Sequence, residues 1–331
     1  MSDRYALMTD WLGSLLPVPA PHITPASSDA SFRRYFRVRH DGASHIVMDA
    51  PPEQEDCRPF VAIAGAMHEL GVQVPQVLAA NLEQGFLLLT DLGSRLYLAE
   101  LSESSVEHLY DDALEALARL QAGGDPATPL LPPYDSALLH REMELFREWF
   151  LTRHLGLALK AGEQRILDET FATLCANALA QPRVWVHRDY HSRNLMITEH
   201  ANPGVLDFQD AVVGPVTYDL VSLLRDCYIA WPRQQVERWA LQHRRRLREL
   251  GVPGLADDAV FLRWFDLMGV QRHLKAIGIF ARLHIRDGKP GYLPDIPRTM
   301  GYVLDVSARY PELAELHGLL QHRKLAVVVA T

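Results

Sequence analysis

A chain of 331 residues, 48% of them hydrophobic, is long enough to build one large domain or two lobes around a substantial core. Its formal net charge of −8 argues against a general binder of nucleic acid or anionic membrane, and no apolar run approaches the length of a membrane span. Three scattered cysteines, Cys57, Cys175 and Cys227, match neither a disulfide framework nor zinc spacing; with no signal pattern at the N-terminus, a reducing cytoplasm is the expected home, while the sequence leaves the oligomeric state open, a monomer being plausible.

Strand-like segments dominate the early chain. Residues 31–38 alternate, and 45–48 and 86–90 are short apolar runs. Residues 59–70 read as a helix, ended by Gly71 and then Pro75. Residues 1–91 therefore predict a small, mainly β lobe with one helix, and Asp91-Leu92-Gly93 marks a hinge to a second lobe over 92–331. Between the first two candidate strands lies Ser27-Ser28-Asp29-Ala30-Ser31. Small residues there let backbone N–H groups and hydroxyls approach phosphates, so Ser28 and Ser31 are candidate nucleotide contacts, although no G-x-G-x-x-G is present. Alternation puts Arg34, Phe36 and Val38 on one face and Arg33, Tyr35 and Arg37 on the other. If Phe36 and Val38 cover an adenine, Arg34 points at the phosphates. It would then replace the third-strand lysine of kinases, whose slot holds Met48 or its neighbours. Backbone groups at Thr90 and Leu92 would pair with the base edge.

Beyond the hinge the chain turns helical. Ser104 and Glu107 form a capping-box pattern, and Val106, Leu109, Ala113, Leu114, Leu117 and Leu120 keep helical spacing up to Gly123-Gly124. Further helices are predicted at about 140–155, 162–180, 216–229, 232–250, 257–285 and 310–322, with 126–133 a loop. Arg244, Arg245, Arg246 and Arg248 read as the solvated face of the 232–250 helix.

The chemistry concentrates in His187-Arg188-Asp189-Tyr190-His191-Ser192-Arg193-Asn194, delivered by the apolar run Val184-Trp185-Val186 and followed by Asp207-Phe208-Gln209-Asp210. The first segment fits the kinase pattern H-R-D-x-x-x-x-N at every fixed position; the second fits D-F-G except that Gln209 replaces glycine. Asp189 can accept a proton from an attacking hydroxyl, and Asn194 and Asp207 offer oxygens to magnesium. Residues 195–198 and 204–206 resemble a hairpin turned at Asn202-Pro203-Gly204 that would bring Asp207 back beside Asn194. A metal site built on the alternating His187, Asp189 and His191 is the rival reading, and it leaves Asn194 and Asp207 unexplained. A buried polar turn with no chemistry is another. Only twelve positions separate Asp207 from Asp219, too few for a peptide-docking segment, so the acceptor is expected to be a small molecule. Asp219 is expected to hold the catalytic loop by its backbone.

The loop, Asp207-Phe208-Gln209-Asp210 and Gly214-Pro215-Val216-Thr217-Tyr218-Asp219-Leu220 together resemble the aminoglycoside phosphotransferase/choline kinase-like family. Ser31-Phe32-Arg33-Arg34-Tyr35-Phe36-Arg37, Val47-Met48-Asp49-Ala50-Pro51-Pro52 and Gln271-Arg272-His273-Leu274-Lys275 are similar to its bacterial anomeric amino-sugar kinases of cell-wall recycling. The resemblance, over about residues 5–320, implies an α+β, bilobal protein-kinase-like fold with a small β lobe and a large helical lobe. It also implies ATP and Mg2+ as cofactors. The substrate would be a small amino sugar, N-acetylmuramate and/or N-acetylglucosamine, phosphorylated at its C1 hydroxyl. Asp189 would be the base, with Asn194 and Asp207 the magnesium ligands. Residues 261–300 carry seven Lys or Arg against three Asp, a local surplus of four positive charges that suits a sugar bearing a carboxylate better than a cationic aminoglycoside. Arg272 and His273 are candidate substrate contacts there, and Arg225 and Asp226 are candidates for sugar-hydroxyl recognition. The departures from the kinase pattern, Gln209 and the missing lysine, keep two alternatives open: another small-molecule kinase (aminoglycoside, choline or amino alcohol) and a nucleotide-binding pseudokinase.

Overall fold

The computed structural model describes residues 3–16, 22–28 and 32–325. Ser31 lies outside the described residues, and Ser28 is described only as strand backbone. Two compact units emerge: Met1–Leu96 with Leu195–Gln209, and Tyr97–Asn194 with Asp210–Thr331.

The first unit holds an antiparallel sheet of β1 (His22–Ser28), β2 (Arg34–His40), β3 (Ala43–Asp49), β4 (Val77–Asn81) and β5 (Phe86–Thr90), in the order β1-β2-β3-β5-β4. Its tightest turn is Asp41-Gly42, where both residues take positive φ (48° and 77°) and close a two-residue hairpin between β2 and β3. Register sets the packing. Arg34 pairs with Asp49, Phe36 with Val47, and Val47 in turn with Leu88, so these side chains share one face. Helix α1 (Asp3–Leu15) covers that face: Met8 and Leu12 join Val38, Val47, Phe86 and Leu88 in one core, and Trp11 stacks on Phe86. Phe36 and Val38 thus pack under α1, with Tyr5 edge-on to Phe36, rather than over a base. Arg34 belongs to the same face and pairs with the buried Asp49, which Arg4 of α1 also grips through Nε at 2.9 Å. The expected phosphate-facing direction of Arg34 is therefore corrected.

Sequence periodicity missed α1 because its apolar residues point both ways: Met8 and Leu12 are buried whereas Leu7 and Leu15 are exposed. Among the described residues the lobe consequently has two helices, α1 and α2 (Arg58–Glu69), rather than one. The expected hairpin forms as β7 (Leu195–Met196) and β8 (Gly204–Val205) and belongs to this unit. Val205 N–H donates to the Gln73 carbonyl at 2.7 Å, and Phe208 packs on Phe60 of α2 at 4.7 Å between ring centroids.

The second unit is mainly helical. Its short helix α3 (Tyr97–Glu100) precedes α4 (Val106–Gly123). The capping box at Ser104 and Glu107 does not form: Ser105 is the cap, its hydroxyl donating to the Glu100 carbonyl, while Glu107 accepts from Trp239. The helix expected at 140–155 is two elements, α5 (Ser136–Leu145), capped by Asp135, and a π-helical stretch Phe146–His154. Next come α6 (Ala161–Leu179), α7 (Tyr218–Leu224) and α8 (Arg233–Glu249). On α8, Arg244 departs from the solvated-face reading; it is buried, bonded to Asp258 and the Ala256 carbonyl. Helix α9 (Asp258–Asp287) is the spine, started by the Asp257 cap on Val260 N–H and stopped by Gly288 at φ 64°. Gly278 is required inside it, since a Cβ there would meet the Leu145 backbone at 2.3 Å. Helices α10 (Ile296–Ser307) and α11 (Ala314–His322) close the unit. Among the described residues no helix is long and apolar enough to cross a membrane.

Candidate active site

Strand β6 (Arg183–Val186) pairs with β9 (Val212–Pro215) and delivers the loop 187–194. Every turn of that loop is anchored. The carboxylate of Asp219, at the start of α7, is buried and accepts both the His187 N–H (2.6 Å) and the Arg188 N–H (2.9 Å), as its spacing led us to expect. Burial drives its pKa up to about 6, against the pull of His187 and of those two N–H donors. Arg188 sits at a left-handed φ of 79°, a conformation that costs about 1–3 kcal/mol for a non-glycine residue. Its guanidinium is tied to Glu142 (2.5 Å) and the Asp210 carbonyl (3.2 Å). Tyr190 OH donates to the Ala113 carbonyl, Ser192 N–H and hydroxyl both donate to Asp226, and Asn194 Nδ2 donates to the Asp189 carbonyl at 3.0 Å. Asp189 and Asn194 thus share one rigid turn of the second unit.

Asp189 lines a pocket within that unit, facing Arg272 and Lys275 of α9 together with His191 and Tyr218. Tyr228, Ile279, Phe280 and Tyr292 supply apolar wall. Arg193 lies over the Tyr228 ring, its guanidinium carbon 3.7 Å from the centroid. Burial alone would raise the pKa of Asp189, but Lys275, His191, Arg272 and Arg188 outweigh it and hold the carboxyl at about 2. Lys275 Nζ reaches Glu142 at 3.0 Å and Tyr218 OH at 2.9 Å. Burial pulls its pKa down, yet Glu142 and Tyr218 leave it raised, and Glu142 is reciprocally lowered despite its own burial. Burial drops His191 to about 4, so its imidazole is neutral at physiological pH.

The remaining candidates are dispersed. Arg225 is buried in an ion pair with Asp266, and its carbonyl bonds His273 Nε2 at 2.9 Å; His273 stacks on Tyr302. Asp226 is occupied by Ser192 and by Tyr228 N–H. Arg225, Asp226 and His273 therefore brace the walls and do not line the pocket; of the four candidate substrate contacts only Arg272 does. In the first unit, Thr90 N–H donates to the Gln76 carbonyl at 3.0 Å, which removes it as a donor to a base. Leu92 follows Asp91, whose carboxylate is held by Arg37 and the Gly93 N–H. Asp207 ends the hairpin of the first unit at φ 62°, and Gln209 Nε2 donates to its Oδ1 at 2.7 Å. The rival metal site is not formed: His187 Nδ1 accepts the Asp189 N–H, and no group of three or more His, Cys, Asp or Glu that could hold a metal exists among the described residues. Sequence reasoning missed Lys275 and Glu142 as site residues and named His191 only as a ligand of the rival metal site. The charge surplus of 261–300 was the available signal for Lys275; nothing local marked Glu142.

A five-stranded antiparallel unit, a mainly helical unit and a rigid H-R-D-x-x-x-x-N loop define a protein-kinase-like phosphotransferase. Residues 22–256 match the phosphotransferase enzyme family, and the chain belongs to that family. It is 50% identical to the N-acetylmuramate/N-acetylglucosamine kinase of Pseudomonas aeruginosa strain PAO1, over 97% of each chain. Among solved structures it is similar to the choline kinase LicA of Streptococcus pneumoniae (TM-score 0.63, 12% identity, 92% of this chain and 100% of that one). It is also similar to the streptomycin-ATP-APH(2")-IIa ternary complex (TM-score 0.58, 14% identity, 95% and 99%).

Proposed function

We propose that this protein is an ATP-dependent sugar kinase that phosphorylates the C1 hydroxyl of N-acetylmuramate and/or N-acetylglucosamine in cytoplasmic peptidoglycan recycling. The observation that carries the reading is the pocket around Asp189: one ionised carboxylate beside two buried cations, Arg272 and Lys275, and an aromatic wall. Such a pocket disfavours cationic acceptors. An aminoglycoside or choline would meet positive charge and only one carboxylate among the lining residues, so like-charge repulsion weighs against both. A neutral or acidic amino sugar suits it. The intact Asp189, Asn194 and Asp207 weigh against a pseudokinase.

In this mechanism Asp189 accepts a hydrogen bond from the C1 hydroxyl and aims its oxygen at the γ-phosphorus of ATP. With a pKa near 2 it is a weak base, so the proton leaves the hydroxyl late and orientation is its main contribution. The loop anchors at Asp219 and Asp226 keep that carboxylate in place. Asn194 in the second unit and Asp207 in the first each offer magnesium the kind of oxygen donor that a hard cation takes, a carboxamide and a carboxylate, and Gln209 orients Asp207 where the kinase pattern has glycine. When bound, the ion neutralises charge on the phosphates.

The test is a panel of N-acetylmuramate, N-acetylglucosamine, glucosamine, choline and kanamycin incubated with ATP and read by mass spectrometry for added phosphate. Phosphorylation of the two N-acetyl sugars at C1 is expected. Asp189→Asn should cost about 10²–10⁴-fold in kcat while ATP still binds. Turnover of choline or kanamycin alone, or a near-normal kcat in that variant, would refute the assignment.

A further inference from the structure

Four arginine or lysine side chains of the second unit are buried: Arg225, Arg244, Arg272 and Lys275. Three of them have a carboxylate partner, namely Asp266, Asp258 and Glu142. Arg272, with 5% of its surface exposed, has none. Among the described residues it forms no ion pair. Its one hydrogen bond runs from Nη1 to the Cys227 sulfur at 3.7 Å, and its Nε has no partner. Its charge is balanced only at longer range, by Asp189 across the same pocket and by Asp226, against the cost of burial, and no carboxylate occupies its N–H donors. Lys275, three residues along the same helix, shows that this fold can satisfy a cation there from its own side chains.

We infer that Arg272 is an anion subsite of the acceptor pocket and that it reads the lactyl carboxylate by which N-acetylmuramate differs from N-acetylglucosamine. The inference rests on the proposed sugar-kinase reading. The anion belongs to the acceptor because the guanidinium lines the same pocket as Asp189, the group that receives the acceptor hydroxyl. With C1 at Asp189, the lactyl ether on C3, two ring bonds away, carries its carboxylate past the ring edge and can reach a second side chain of the same pocket. A guanidinium is suited to that group, since its planar fork matches a carboxylate with two parallel N–H bonds. The neutral sugar leaves the fork without a carboxylate to bond and binds less tightly.

The experiment compares wild type, Arg272→Gln and Arg272→Lys on both sugars. In Arg272→Gln the ratio of kcat/KM for N-acetylmuramate over N-acetylglucosamine should fall about 10–100-fold, the value of one charge-assisted bonded pair, and the fall should lie in KM. Arg272→Lys keeps the charge without the fork and should fall between. Melting temperatures of the three proteins are read beside the kinetics, and a ratio that falls in a variant still folded at the assay temperature separates this outcome from misfolding. An unchanged ratio, or equal losses in kcat on both sugars, as for a group acting on the transferred phosphoryl, overturns the inference. If wild type phosphorylates neither sugar, the proposed function fails and the subsite is judged by binding alone. D-lactate, but not D-lactamide, should then raise the melting temperature of wild type and leave that of Arg272→Gln unmoved; equal responses from the two proteins overturn it.

Discussion

At Arg188 the backbone holds a left-handed conformation that its own side chain resists, and it persists because Asp219 grips the N–H groups on both sides of the turn. An asparagine at 219 would keep the shape but offer one acceptor oxygen and an NH2 group, leaving one of those two buried donors unmet. We expect Asp219→Asn to lose about 1–3 kcal/mol of stability. Because the turn positions Asp189, kcat should drop about 100-fold with a smaller change in KM. Steady-state kinetics beside urea melts decide it; a kcat within twofold of wild type would show that the loop does not depend on this anchor. The Asp219 anchor and the turn of 187–194 that it holds were legible in the sequence, because both follow from local spacing. Lys275 and Glu142 were not. They meet only when α5 and α9 cross, and neither residue is unusual in its own helix.

The sheet of the first unit shows the same contrast among its elements. The segment 86–90 was legible as a strand since every residue of β5 but the last is buried. Helix α1 and the face it covers were not, and so the alternation of β2 was read with the correct period but the wrong partner for Phe36 and Val38. Helix α10 was hidden by the prolines at 290, 294 and 297. The ion cluster Arg4–Asp49–Arg34 ties the first turn of α1 to the end of the central strand β3, beside the apolar core under that helix. In Arg34→Ala the Arg4–Asp49 bond survives, and Arg34 is itself substantially exposed, so the expected cost is about 1 kcal/mol. The Michaelis constant for ATP should not rise. A steep rise, with the melting temperature intact, would restore Arg34 to the phosphates.

Across the whole chain, burial of titratable groups sets how the protein responds to acid. His191, His243 and His273 are buried and lowered by burial to about 4, 3 and 3, with Arg246 adding to the effect at His243 and Arg272 and Arg225 at His273. In the unfolded chain each imidazole takes a proton near pH 6.5. A folded pKa depressed below the unfolded one contributes stability that is present above pH 6.5 and is lost as pH falls toward the folded value. Asp189, also depressed, adds to the loss only below about pH 4. Asp219 acts in the opposite sense, because its raised pKa lets the folded state take a proton near pH 6, ahead of the unfolded chain. Three imidazoles gained against one carboxyl surrendered leave the unfolded state about two protons richer at pH 5, a slope of about 3 kcal/mol per pH unit. Urea unfolding at pH 7.5 and pH 5 should therefore show the free energy falling by several kcal/mol. The net proton uptake can be read by calorimetry in buffers of different ionisation enthalpy. A free energy that is flat or rising toward pH 5 would mean that at least two of these histidines are charged in the folded protein. The Nε2 bonds of His243 to the Gln121 oxygen and of His273 to the Arg225 carbonyl would survive that charging, since imidazolium donates from both nitrogens.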